Sequence, residues 1–120
     1  MIQVTAQMRV LVAVEPADFR RGIDGLARMA RETLASDPFS GCLFVFRNRR
    51  ATALKILVYD GQGFWLCHKR LSKGRFRFWP TDDLAPARAL AAHELHVLLS
   101  AGDFTAIRAA EPWRRVSSGG

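Results

Sequence analysis

Arg47, Arg49, Arg50, Lys55, Lys69, Arg70, Lys73, Arg75 and Arg77 gather nine of the chain's 18 Lys and Arg residues in a stretch whose one acid is Asp60. The chemistry open to such a cluster is neutralisation of a polyanion. Guanidinium and ammonium groups donate to phosphate oxygens and displace condensed counterions, which requires charge density and no particular base sequence. Phe64, Trp65, Phe76, Phe78 and Trp79 are interleaved with these cations. Rings beside focused positive charge are the footprint of a surface that meets nucleic acid. The rest of the 120-residue chain sets nine cations against ten acids, so the formal charge of +7 resides entirely in this quarter.

A competing reading treats these charges as a solvated sheet face whose lysines guard an edge against aggregation. Such a face usually mixes signs, and this one does not. Trp65 and Trp79 are better read as packing residues than as base-stacking platforms. No helix-turn-helix, zinc finger or RNA-recognition sheet signature accompanies the cluster, so phosphate contact is expected and base-specific reading is not.

Other chemistry finds little support. His93-Glu94-Leu95-His96 spaces its histidines at i,i+3, whereas a helical zinc-protease site needs i,i+4. A metal-dependent nuclease needs convergent carboxylates. The candidates are Asp24, Asp60, Asp82 and Asp83, and each is better explained as a helix pair, an Asp-Gly turn or a loop residue. His68, next to Lys69, reads as a neighbour's partner or a phosphate donor. Cys42 and Cys67 form neither a disulfide framework nor a metal-ligand spacing and are expected to be half-buried thiols of a reducing compartment. The expectation is a non-enzymatic protein with no cofactor, no catalytic residue and no metal site. Strand-sized apolar runs and a start without signal-peptide features imply a cytoplasmic protein with no membrane partner.

The elements that must position the cations follow from hydrophobic periodicity. Met8 to Val14 reads as a strand. Asp18 is an expected N-cap for a helix from Phe19 to Ser36, whose Phe19, Ile23, Leu26, Ala27, Ala30 and Leu34 share one face. Gly22 and Gly25 either permit close packing or leave its first turns irregular. Cys42 to Phe46, Ala53 to Tyr59, Phe64 to Leu71 and Arg75 to Trp79 read as a four-stranded antiparallel meander. Asp60-Gly61-Gln62-Gly63 is its clearest hairpin signal. In the last strand, alternation sends Phe76 and Phe78 to the core and Arg75 and Arg77 to the open face. Hairpin parity brings the 47–52 and 72–74 turns to the same end of the sheet. Pro80 to Pro86 reads as a loop, and a second helix runs from about Ala91 to Ala101 with Leu95, Leu98 and Leu99 facing inward. The fold class is α+β, a mainly antiparallel sheet of about five strands with two helices. One domain spans 1–104, and 105–120 is expected to be a partly disordered extension.

Several ordered blocks match a known family. They are Asp18-Phe19-Arg20-Arg21-Gly22-Ile23-Asp24-Gly25-Leu26, Asp37-Pro38-Phe39-Ser40-Gly41, and Leu43-Phe44-Val45-Phe46-Arg47-Asn48-Arg49-Arg50. Leu54-Lys55-Ile56-Leu57, Asp60-Gly61-Gln62-Gly63, Lys69-Arg70-Leu71, Gly74-Arg75-Phe76 and Trp79-Pro80 follow in order. Over about residues 7 to 104 the chain resembles the TnpB accessory proteins of the insertion-sequence-66 family of bacterial transposable elements. The resemblance implies a non-catalytic helper of DNA transposition, acting beside a transposase and a second accessory protein of the same element. It supplies no catalytic residues. Residues 81–90 are richer in alanine than the family pattern, and the tail beyond Asp103 is longer. With the basic run, the expectation is contact with transposon DNA, or with the transposase–DNA complex, through Arg47, Arg49, Arg50, Lys55, Lys69, Arg70, Lys73, Arg75 and Arg77. The alternative is a protein-interaction module that docks onto the transposase or the other helper without touching DNA.

Overall fold

The computed structural model describes residues 7–81 and 84–102. Its five strands are β1 (Val10–Ala13), β2 (Leu43–Arg47), β3 (Ala53–Tyr59), β4 (Phe64–Arg70) and β5 (Ala87–Leu90), joined in one sheet of order β4-β3-β2-β1-β5. Helix α1 (Ile23–Glu32) links β1 to β2, which are parallel, and α2 (Ala92–Leu99) follows β5. The remaining neighbours pair antiparallel. This is the α+β arrangement expected, with a helix after the first strand and another after the last.

Strand β2 is the middle of the sheet, which explains its nearly unbroken apolar sequence. Phe44 and Phe46 pack with Leu26, Ala30 and Leu57 on the α1 side, while Leu43 and Val45 pack with Leu95 and Leu98 on the α2 side. A strand covered on both faces has no polar positions to alternate. Each large apolar side chain buried there contributes roughly 1.5–3 kcal/mol. The sheet also separates Cys42, packed on the α1 side, from Cys67, packed on the α2 side. Both are free, and burial pushes the Cys42 thiol above its ordinary pKa.

Three expectations are corrected. First, Arg75 to Trp79 is not a strand. Phe76 and Trp79 are both buried, at 2% and 9% exposure, and enter the same core cluster, whereas Phe78 is 44% exposed. Residues three apart point to opposite faces of a strand, so burying this pair demands a turn. Rather than folding back on β4, the chain leaves the β4 edge and reaches β1, where the Trp79 indole N–H donates to the Ala13 carbonyl at 2.8 Å.

Second, the fifth strand, expected at Arg75 to Trp79 beside β4, is Ala87–Leu90, which the sequence pattern assigns to no element, on the opposite edge of the sheet. Alanine has little strand propensity. Pairing with β1 and the burial of Leu90 decide this segment.

Third, α1 begins at Ile23, with Gly22 at its N-cap, and not at Phe19. The carbonyls of Phe19 and Arg21, which would open a longer helix, accept hydrogen bonds from the Lys55 ammonium at 3.0 and 3.3 Å. Asp18 accepts from the backbone N–H and guanidinium of Arg20 and caps no helix. The Arg20 hydrogen bonds hold its carboxyl at about 2.

Candidate nucleic-acid interface

The β2–β3 connection is built around Asn48. Its side-chain oxygen accepts from the N–H groups of Thr52 (2.9 Å) and Ala53 (3.1 Å), and its amide donates to the Thr52 hydroxyl at 3.0 Å. The Asn48 carbonyl accepts from Ala51, which holds a positive φ of 56°. A residue without glycine's freedom stays in that region only when its surroundings enforce it. Arg47 adds guanidinium bonds to the carbonyls of Asn48, Arg49 and Val14. The loop is thereby fixed, with Arg49 and Arg50 exposed on it.

The segment after β4 is joined to this loop. The Leu71 N–H donates to the Thr52 carbonyl at 2.9 Å, and the Phe76 N–H to the Ala51 carbonyl at 2.7 Å. Both basic turns therefore meet at one end of the sheet, as hairpin parity requires. Gly74, at φ +77°, makes the reversal between them. Arg49, Arg50, Arg70, Lys73, Arg75 and Arg77 are all exposed. A cleft of about 380 Å³ adjoins the rim, lined by Pro16, Ala17, Asp18, Phe19, Arg20, Asn48 and Arg49. Its acid, Asp18, is already paired with Arg20 at 2.9 Å.

The nine basic positions singled out by sequence thus separate into two sets. Lys55 is buried, with its ammonium 4.9 Å from the Phe19 ring centre as well as bonded to two carbonyls. Arg47 is half-buried and braces backbone, and its Nε has no hydrogen-bond partner among the described residues. Lys69 donates to the Leu99 carbonyl at the end of α2, where a cation complements the helix dipole. These three donate to the protein's own carbonyls, Lys69 while remaining exposed, and the other six are exposed as well. Replacing Lys55 by methionine keeps the aliphatic stem but strands two carbonyls. Lys55→Met is expected to lower unfolding free energy by about 1.5–3 kcal/mol in urea titrations, with no change in the salt dependence of any DNA binding.

The other end of the sheet is organised by Asp60. One carboxylate oxygen accepts from the N–H groups of Gln62 and Gly63 at 2.9 Å, and the second accepts from the Trp65 indole at 2.8 Å. Gly61, at φ +94°, permits the turn. Bonds from the Gly63 and Gln62 backbone, then from Trp65, lower the Asp60 pKa. A depressed carboxyl pKa favours the folded turn above the unfolded value near 3.9, and that support is lost as pH falls through the lower folded pKa. The emission difference between the native protein and Trp65→Phe should therefore titrate below the usual carboxylate range. Asp60→Asn should abolish the transition, and a midpoint at or above about 4 would contradict these hydrogen bonds.

The residues weighed for catalysis do not converge. His93 and His96 are both exposed on α2, while Glu94 between them is buried, its carboxylate accepting from the Ala91 N–H at 2.8 Å. A glutamate three residues past the N-cap is a sequence signal for that role. His68 meets Phe19 edge-on, with ring centres 5.7 Å apart. Among the described residues no group of three or more His, Cys, Asp or Glu could hold a metal ion. Asp82 and Asp83 lie outside the described residues. Sequence reasoning missed Asn48, although an Asn directly after a strand commonly bonds the turn that follows it. The exposure of Phe78 had no local signal.

Sheet order, the two helices and the joined basic loops define a small mixed-sheet α+β protein with a fixed cationic rim at one sheet end. The chain belongs to the family described as IS66 Orf2-like protein, whose model matches residues 8–109. Membership makes it a protein associated with the transposition of an insertion sequence. It is 36% identical to the uncharacterized protein y4jC of Sinorhizobium fredii over 108 residues, covering 90% of this chain and 91% of that one. It is 39% identical to the uncharacterized protein y4hO of the same organism over 112 residues, 93% of this chain and 94% of that one. No solved structure matches. Among the described residues no helix is long and apolar enough to cross a membrane.

Proposed function

We propose that this protein assists transposition without catalysis of its own, by holding element DNA, or the transposase bound to it, through phosphate contacts of Arg49, Arg50, Arg70, Lys73, Arg75 and Arg77. One observation carries the reading. Two loops far apart in sequence are hydrogen-bonded into a single rim carrying six exposed cations, while Arg47, Lys55 and Lys69 donate to the protein's own carbonyls. Cations ordered by a rigid backbone lose less freedom on meeting a phosphate chain than cations on mobile tails. The contacts are to phosphates, so they position DNA and do not read its sequence.

The test is binding of fluorescent duplex DNA at increasing salt. With six phosphates neutralised, affinity should fall by roughly three orders of magnitude between 50 and 200 mM salt. Absence of binding at low salt would overturn the proposal.

Docking onto the transposase or the second accessory protein without DNA is favoured by a different feature. At the opposite end of the sheet Phe39, 53% exposed, stands 5.0 Å from Tyr59 and 5.2 Å from Phe64 between ring centres. Capture of purified transposase that persists at high salt and is lost in Phe39→Ala would support that reading.

A further inference from the structure

We infer that Arg77 and Phe78 form a contact for one nucleotide of single-stranded DNA, Phe78 stacking on an unpaired base while Arg77 pairs with a neighbouring phosphate. The inference rests on the DNA-facing reading of the rim and adds to it a preference for unpaired bases.

The geometry begins with the rings on either side. Phe76 and Trp79 lie with centres 6.0 Å apart, edge to face, both in the core on the α2 side. Phe76 is tied to Ala51 through its backbone N–H, and Trp79 to Ala13 through its indole. Two anchored rings three residues apart force the intervening pair, Arg77 and Phe78, to the tip of a turn, and both are exposed. The tip is held from both sides, so Phe78 cannot retreat into the core as its residue type would favour.

Among the described residues the other exposed aromatics are already engaged. Phe39 packs against Tyr59 and Phe64, and the Trp65 indole is bound by Asp60. Phe78 has no ring partner there, and its sequence neighbours on the rim are Lys73, Arg75 and Arg77. Phosphate contact alone gives no use to an exposed apolar ring. An unpaired base does, because each base offers a π face beside its phosphate, and stacking on an aromatic side chain tolerates any sequence. In an intact duplex those faces are covered by neighbouring base pairs, so a stacking ring gains nothing from it.

The experiment compares oligo(dT) with a duplex of matching length, by fluorescence anisotropy at low salt, using the full chain and the variants Phe78→Ala, Phe78→Leu and Phe78→Trp. Phe78→Ala and Phe78→Leu should each weaken oligo(dT) binding by roughly 5- to 150-fold and leave duplex binding unchanged. Phe78→Trp should retain the single-strand affinity, and the salt slope should not move, because no charge is altered. The leucine variant separates a π face from mere apolar bulk. If native protein binds both DNAs but residue 78 affects neither, or affects both alike, this inference fails and the phosphate rim stands. A loss confined to the duplex also overturns it, since that marks a wedge between base steps. If neither DNA binds at low salt, both readings fail.

Discussion

Replacing Lys73, Arg75 and Arg77 together by alanine is expected to reduce the salt slope of duplex DNA binding by about 2.7, at roughly 0.9 for each phosphate no longer neutralised. Binding curves of the two proteins should converge toward 1 M salt, where the counterion term vanishes, so at about 0.1 M the variant is weaker by roughly 500-fold. The size of this effect comes from where the charges stand. All three are exposed on a segment whose neighbours Leu71 and Phe76 are bonded to the opposite loop, so their removal subtracts charge from the rim without touching the core. Unfolding in urea should accordingly stay within about 0.5 kcal/mol of the native protein. Lys55→Met is the matching control, since it removes a charge of the same run that faces inward. A loss of salt slope in Lys55→Met about one third of that in the triple variant, in proportion to the charges removed, would show that net charge, and not the rim, governs binding.

Phe76→Ala is expected to destabilise the fold by about 3–5 kcal/mol, measured from the urea midpoint at constant m-value. Domains of this kind are commonly stable by only about 5–15 kcal/mol, so the loss is a large fraction of the whole. Phe76 is 2% exposed and packs with Trp79 in the cluster that includes Leu95 and Leu98. Little else can collapse into the space, because the segment is pinned at Ala51 and Ala13. Trp79→Phe separates the two parts of the anchor. It keeps a ring in the core and gives up the bond to the Ala13 carbonyl, at a cost of about 1 kcal/mol from that bond plus a lesser packing loss. A Phe76→Ala protein as stable as the native one would mean that the 75–79 turn is not fastened to this core.

These two expectations depend on a distinction that local pattern could not make. In Arg75-Phe76-Arg77-Phe78-Trp79, strict alternation is satisfied by a strand, and nothing nearby contradicts it. The decision lies with Ala13 and Ala51, more than twenty residues away, which offer carbonyls to Trp79 and Phe76 and draw rings of opposite parity into one core. The start of α1 is similar. Asp18 has the residue type of an N-cap, but the Lys55 ammonium takes the carbonyls on which the first turn would depend. Strand β5 shows the converse, a segment of weak propensity made extended by its partner β1. By contrast, β3 was legible to the residue, because an apolar run closed by an Asp-Gly turn specifies itself locally.

By itself the sequence determined the concentration of positive charge between Arg47 and Arg77, the helical and extended character of most segments, and the meeting of the two basic turns at one sheet end. Each is a matter of composition, periodicity or strand parity, and none needs a distant partner. Tertiary structure decided which cations are already engaged, committing Arg47, Lys55 and the exposed Lys69 to backbone carbonyls, and it set Phe78 outside on a turn between two buried rings. The physical reason is that a lysine or a phenylalanine carries the same chemistry wherever it stands. Whether that chemistry is spent on the protein's own carbonyls and core, or offered to a ligand, depends on contacts made across the sheet.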